Sequence, residues 1–272
     1  MRLTVTHQTV YRFDEPMWGV VQSHRLTPAR TASQTVIDWA ISVEGGTSGA
    51  AFRDAAGDWI ETLTVRGPVT EITIDVAGTV ETEDTAGVLR GHRESMPPRA
   101  YLRPSRATTP DAALAALAEK AVEKIALGDT LAAAHALSHA ITDAIAYTPG
   151  ETHAQTTAAE ALAQGKGVCQ DHAHALIAAA LCREIPARYV AGYLYSAADD
   201  AMAEASHAWA ELYIPDLGWV GFDPANACCP DERYIRLGSG ADAAEAAPIR
   251  GIALGEGQEA LDVSVAVEQV QQ

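Results

Sequence analysis

Residues 165–223 confine this chain to few folds. Gly165-Lys166-Gly167-Val168-Cys169-Gln170-Asp171 ends one helical run and leads into another, 169–184, closed by Ile185-Pro186. The hydrophobic period then drops to two over 188–195, 206–214 and 218–223. A helix that enters an antiparallel meander must bury its apolar stripe on the sheet that follows. That is an α+β arrangement.

The rest of the chain fits around this core. Leu3, Val5, His7, Thr9 and Tyr11 alternate with Thr4, Thr6, Gln8 and Val10, the pattern of a half-buried strand. Runs 36–43, 59–65 and 71–80 repeat it, with Gly45-Gly46, Gly57-Asp58 and Gly67-Pro68 as expected turns. Residues 1–80 therefore read as a small β domain, a sandwich or barrel-like unit. Residues 81–110 carry Pro97, Pro98, Pro104 and Pro110 among charges and read as a linker or strap. Residues 111–272 form the core, with helices expected at 111–127 and 129–147 and a short one opened by Thr157 and Glu160 in capping-box spacing. The alternating run 261–270 is a further strand whose partner the sequence leaves open.

Charge and composition exclude several classes of function. A net charge of −17 repels phosphate backbones and anionic lipid surfaces, so neither nucleic acid nor membrane is an expected partner. The first residues lack the apolar core of a signal peptide. The longest apolar run, 173–182, contains His174 and falls short of the ~18 residues a membrane span needs. A cytoplasmic location is the expectation. Four cysteines without a C-x-x-C pair suit neither a disulfide framework nor a zinc knuckle. His172 and His174 diverge on a helix, and His135 and His139 gain no third ligand, so neither a metal nor another cofactor is expected.

The residues with chemistry are Cys169, His207 and Asp223, in that order. A thiol acts as a nucleophile only as thiolate, and its ordinary pKa is about 8.5. A helix start supplies about half a positive charge and unpaired N–H groups that can hold an oxyanion. His207, Trp209, Glu211 and Tyr213 share one face of the strand 206–214, while Ala208, Ala210, Leu212 and Ile214 form the apolar face. A turn centred near 215–216 would set His207 opposite Pro224, next to Asp223, which would orient the imidazole. Taken alone, each residue has an ordinary reading: a structural thiol, a satisfied histidine, a turn-forming aspartate. Gln170, Asp171 and Trp209 are further candidates for lining the site or holding an oxyanion, though Asp171 is equally a helix-capping carboxylate and Trp209 a wall.

Gly167-Val168-Cys169-Gln170-Asp171, Ile185-Pro186-Ala187-Arg188-Tyr189-Val190-Ala191-Gly192-Tyr193, Ser206-His207-Ala208-Trp209 and Gly218-Trp219-Val220-Gly221-Phe222-Asp223-Pro224 together resemble the bacterial transglutaminase-like family. Tyr11-Arg12-Phe13 and Leu26-Thr27-Pro28 resemble the β-rich region that precedes such cores. The resemblance implies a papain-like core with Cys169 as nucleophile, His207 as base and acid, and Asp223 as its carboxylate. It implies a cysteine peptidase or amidase acting on a peptide or protein through a thioester. Transfer of a glutamine acyl group to an amine, or a non-catalytic interaction module, are the alternatives. His172 departs from the family, which more usually has an aromatic residue there.

Overall fold

The computed structural model describes residues 1–196 and 205–270. Strand β1 (Arg2–His24) buries Leu3, Val5, His7 and Thr9 and turns Thr6 and Gln8 outward, as the alternation demands. β2 (Gln34–Val43), β3 (Gly46–Arg53) and β4 (Trp59–Thr82) follow. β4 absorbs two expected strands, because Gly67-Pro68 does not end it. The ladder with β1 continues past that point with register shifts between Arg12 and Gly19. Gly67 is required there, since a Cβ would lie 2.0 Å from the Met17 carbonyl oxygen. β3, Gly-Thr-Ser-Gly-Ala-Ala-Phe-Arg, offers no apolar alternation to read and is held through its ladder with β4.

A short 3₁₀ turn, Pro98–Leu102, interrupts the segment that crosses to the helices. α1 (Ala112–Val122) is capped by Asp111 and α2 (Thr130–Ala144) by Asp129, each side chain accepting from a backbone N–H. α2 stops earlier than the period implies, because Ala146 and Tyr147 form β5, parallel to β6 (Lys166–Gly167). Between them α3 (Ala158–Gln164) starts in the expected capping box of Thr157 and Glu160 and ends at Gly165, whose φ is +65°. α4 (Cys169–Leu181) is followed by β7 (Ala187–Leu194), β8 (Ser206–Ile214), β9 (Gly218–Phe222) and β10 (Tyr234–Gly240). α5 (Ala243–Ala246), β11 (Ile249–Leu254) and β12 (Glu259–Gln269) complete the chain.

Apart from the two-stranded β5–β6 sheet, two sheets hold these strands in layers. The core sheet runs β10-β7-β8-β9, all antiparallel. α4 lies on it, packing Ala173, Leu176, Ile177 and Ala180 against Ala208, Ala210, Leu212 and Phe222. The β-rich region forms one six-stranded sheet, β11-β1-β4-β2, with β12 also on β1 and β3 also on β4. The alternating C-terminal strand β12 thus finds its partner on β1, eleven positions in register from Leu3–Gln269 to Phe13–Glu259. One sheet suffices where a sandwich would need two, because the core supplies the second layer: Leu3, Val5, Val80, Val265 and Val267 pack on Tyr193, Ile235 and Leu237. The fold is α+β, helices on an antiparallel sheet preceded by a β-rich region.

Candidate active site

Gly165 to Asp171 are fixed by contacts from outside the helix that follows. Ala146 and Thr148 N–H groups donate to the Gly165 and Gly167 carbonyls (2.9 and 2.8 Å), which fixes the approach to α4. Asp171 is buried and its Oδ2 accepts from the Val168 N–H (2.9 Å) and the Thr152 hydroxyl (2.6 Å). A Cβ on Gly167 would sit 2.7 Å from the Asp171 Cβ, so only glycine allows this closure. Cys169 is the first residue of the helix and half-buried. The His172 ring lies between two carbonyls, Nδ1 at 2.9 Å from Val168 O and Nε2 at 2.9 Å from Ile145 O. It ties the residue before the thiol to the end of α2. His174 points elsewhere, its Nε2 accepting from the Ala243 N–H at 3.1 Å.

His207 lies on β8 and Asp223 just past β9. Ala210 pairs with Phe222, and the chain turns over 215–217 with Asp216 at φ +69°. The register expected from the sequence is off by one. This matters, because opposite His207–Pro224 pairing would have turned His207 and Asp223 to different faces of the sheet. The observed register carries Asp223 opposite Trp209, on the face that also bears His207.

His207 Nε2 is 2.6 Å from Asp223 Oδ2. Cys169, at the start of α4, lies near enough to the imidazole to bear on its protonation. Burial alone would lower the His207 pKa, but the bonds and charges of Asp223 and Cys169 outweigh it and raise the value to about 10. The Asp223 carboxylate is fully buried. Burial would raise its pKa, yet donation from His207, Asn226 and Tyr234 leaves it below the ordinary carboxylate value. Tyr234 O–H donates to Oδ2 at 2.8 Å and Asn226 Nδ2 at 2.8 Å, while the Ala225 and Asn226 N–H groups donate to Oδ1 at 3.0 and 3.3 Å. The Thr142 hydroxyl holds the Pro224 carbonyl at 2.8 Å, anchoring this turn to α2.

The structure thus pairs His207 with Asp223, sets Cys169 where it bears on the imidazole, and sorts the other candidates. Gln170 donates to the Ala154 carbonyl at 3.2 Å and secures the loop before α3. Asp171 caps the helix. Trp209 is buried and stacks on the His207 ring with centroids 6.4 Å apart and planes 24° from parallel. Tyr234 closes the cluster edge-on to both rings. Tyr234 and Asn226 carry no sequence signal, because only the pairing of β10 with β7 and the turn after β9 bring them to the carboxylate. Arg188 lies on the face of the sheet away from α4, paired with Glu211 (2.6 Å) and stacked on Trp219 (4.1 Å).

Among the described residues no group of three or more His, Cys, Asp or Glu side chains could hold a metal ion, and no helix is long and apolar enough to cross a membrane. His135 packs edge-on against Phe222, centroids 5.0 Å apart.

Known proteins match along both parts of the chain. Residues 116–224 match the transglutaminase-like superfamily and residues 3–81 the bacterial transglutaminase-like N-terminal region. The uncharacterized protein ML0607 of Mycobacterium leprae is 30% identical over 98% of both chains. Rv2569c of Mycobacterium tuberculosis is 29% identical over 98% of this chain and 92% of its own. A crystal structure of a cysteine protease candidate from Cytophaga hutchinsonii shares the fold, with a TM-score of 0.73 at 24% identity over 100% of this chain and 92% of that one. The periplasmic domain of TgpA from Pseudomonas aeruginosa aligns over 81% of this chain and 90% of its own at 18% identity, with a TM-score of 0.38. The cytoplasmic location expected from the sequence is withdrawn, because the lack of an apolar leader in the first residues does not fix a compartment. The two matched regions, and a relative alike from end to end, make this chain a member of the transglutaminase-like superfamily that carries the bacterial N-terminal region.

Proposed function

We propose that the chain is a cysteine-dependent acyl-transfer enzyme in which Cys169, His207 and Asp223 act together. The contact of one imidazole with both a helix-start thiol and a buried carboxylate carries this reading. The Cys169 thiolate attacks the carbonyl carbon of a peptide or carboxamide, and the new oxyanion is held by the Cys169 N–H at the helix start. As the C–N bond breaks, the His207 proton passes to the departing amine and a thioester remains. Water, losing a proton to His207, attacks the thioester. The carboxylic acid leaves and the thiol is restored. Asp223 keeps Nε2–H fixed, so that Nδ1 faces sulfur throughout.

Hydrolysis is the reading we adopt, with transfer of the acyl group to an amine as the alternative. Two experiments test the reading. Cys169→Ala and His207→Ala are each expected to lower turnover of a glutamine-containing peptide by at least about a thousandfold with unfolding curves near those of the parent. Full activity in either variant overturns the assignment. Offering a labelled primary amine separates the two reactions: release of ammonia or cleaved peptide without label means hydrolysis, and incorporated label means transamidation.

A further inference from the structure

Around the join between the two parts of the chain, acidic side chains turn inward and the arginines beside them turn out. Asp54 pairs with Arg25 at 2.8 Å, Asp58 with Arg236 at 2.9 Å, and Glu94 with Arg188. Arg53 and Arg93, the sequence neighbours of Asp54 and Glu94, are exposed. With Arg30 and Gly91 they line an open concavity of about 330 Å³. In a chain of 36 acidic and 19 basic residues, none of these three arginines has a carboxylate partner among the described residues.

The concavity is built rather than draped. The Ala32 N–H donates to the Arg90 carbonyl at 2.7 Å, and the Ser95 and Met96 N–H groups donate to the Ala55 carbonyl at 3.0 and 2.9 Å. His92 Nε2 lies 2.7 Å from the Ala56 carbonyl oxygen. The strap sits so close to the turn below it that a Cβ on Gly57 would lie 2.2 Å from the Arg93 carbonyl oxygen. Arg53 donates to the Gly57 carbonyl at 2.8 Å and rests over Trp59, which holds its guanidinium at the rim. Arg53 also ends β3, a strand paired with β4 alone.

We propose that this concavity binds a carboxylate-rich peptide segment. Guanidinium groups present paired donors in a planar fork that matches a carboxylate. Three of them around one concavity, none held by a carboxylate among the described residues, form a local cationic site on an acidic molecule whose overall field repels anions that lack such contacts. The open edge of β3 beside them offers an extended main chain hydrogen-bond partners, which a free phosphate would not use. The site uses no residue of the Cys169–His207–Asp223 cluster, and its test is independent of catalysis.

The test is fluorescence anisotropy of labelled hexaglutamate with the full chain carrying Cys169→Ala, at about 0.1 M salt. Saturable binding with one site per chain is expected, weakened about tenfold or more by Arg30→Ser with Arg93→Ser. Arg66→Ser with Arg99→Ser, which removes two exposed arginines elsewhere, is expected to leave affinity within about twofold. Absence of saturable binding, equal loss in both double variants, or binding of inorganic pyrophosphate without binding of hexaglutamate would each overturn the proposal.

Discussion

Tyr234 decides how firmly Asp223 can hold the imidazole. Its hydroxyl donates to the same oxygen that faces His207, while its ring packs against His207 and Trp209. Tyr234→Phe keeps the ring and deletes the donor. Asp223 then loses one of the bonds that lower its pKa, so the acid limb of kcat/KM is expected to move to higher pH. A drop of about tenfold in kcat accompanies it, the scale of one hydrogen bond to a charged group. A pH–rate profile of both proteins checks this, and coincident acid limbs would remove Tyr234 from the site. On the alkaline side, the raised His207 pKa sets the limit. The imidazole keeps its proton through neutral pH and loses it toward about 10, and kcat/KM is expected to fall there because the departing amine loses its proton donor.

At the scale of elements, the start of α4 is assembled from outside the helix. β5 fixes Gly165 and Gly167, Thr152 holds Asp171, and His172 joins Val168 to Ile145. Gly167→Ala forces a Cβ into the Asp171 side chain, which must move and release the Val168 N–H. A loss of roughly 1–3 kcal/mol in urea unfolding is expected, with slower alkylation of Cys169 by iodoacetamide. Unchanged alkylation in a destabilised variant would separate the closure from the placement of the thiol. The segments that most resisted sequence reading belong to this scale. β10 has every residue buried, so it shows no polar alternation. β3 is nearly all exposed and shows none for the opposite reason. The pattern marks strands that are buried on one side, such as β1, and is silent for strands covered on both sides or on neither.

At the scale of the molecule, a buried ionic network joins the β-rich sheet, the strap and the core. Glu211 on β8 accepts from Arg188 (2.6 Å) and Arg236 (2.8 Å), and these reach Glu94 and Asp58. Burial would raise the Glu211 pKa, but the charges of Arg236 and Arg188 dominate and lower it to about 2. Glu211→Gln leaves two buried guanidinium groups short of charge and is expected to cost about 3–5 kcal/mol. Removing the exposed Arg2–Glu81 pair should cost at most about 1 kcal/mol. Urea titrations of the two variants compare them. The pH dependence follows from the same groups. His7, His24 and His174 are buried, which lowers each to about 4, so the unfolded chain takes up protons first. Stability from these histidines is complete above about 6.5 and declines as pH falls toward 4. The Glu211 contribution is complete above about 4.5 and is lost as pH falls toward 2. A stability profile flat from pH 7 to pH 4 would contradict the burial of these histidines.

The sequence alone determined what local pattern can encode. The period change after Cys169, the capping box at Thr157 and Glu160 and the glycine closure before the thiol each lie within one or two neighbouring elements, and the order of thiol, imidazole and carboxylate is read along the chain. Tertiary structure alone decided what depends on pairing between distant segments: the one-residue register that puts His207 and Asp223 on the same face, the arrival of Tyr234 at the carboxylate, the return of β12 to β1, and the partners of Arg188. A register shift of one residue leaves the hydrophobic pattern nearly unchanged when both faces of a sheet are covered. Only the packing of the whole molecule selects between such alternatives.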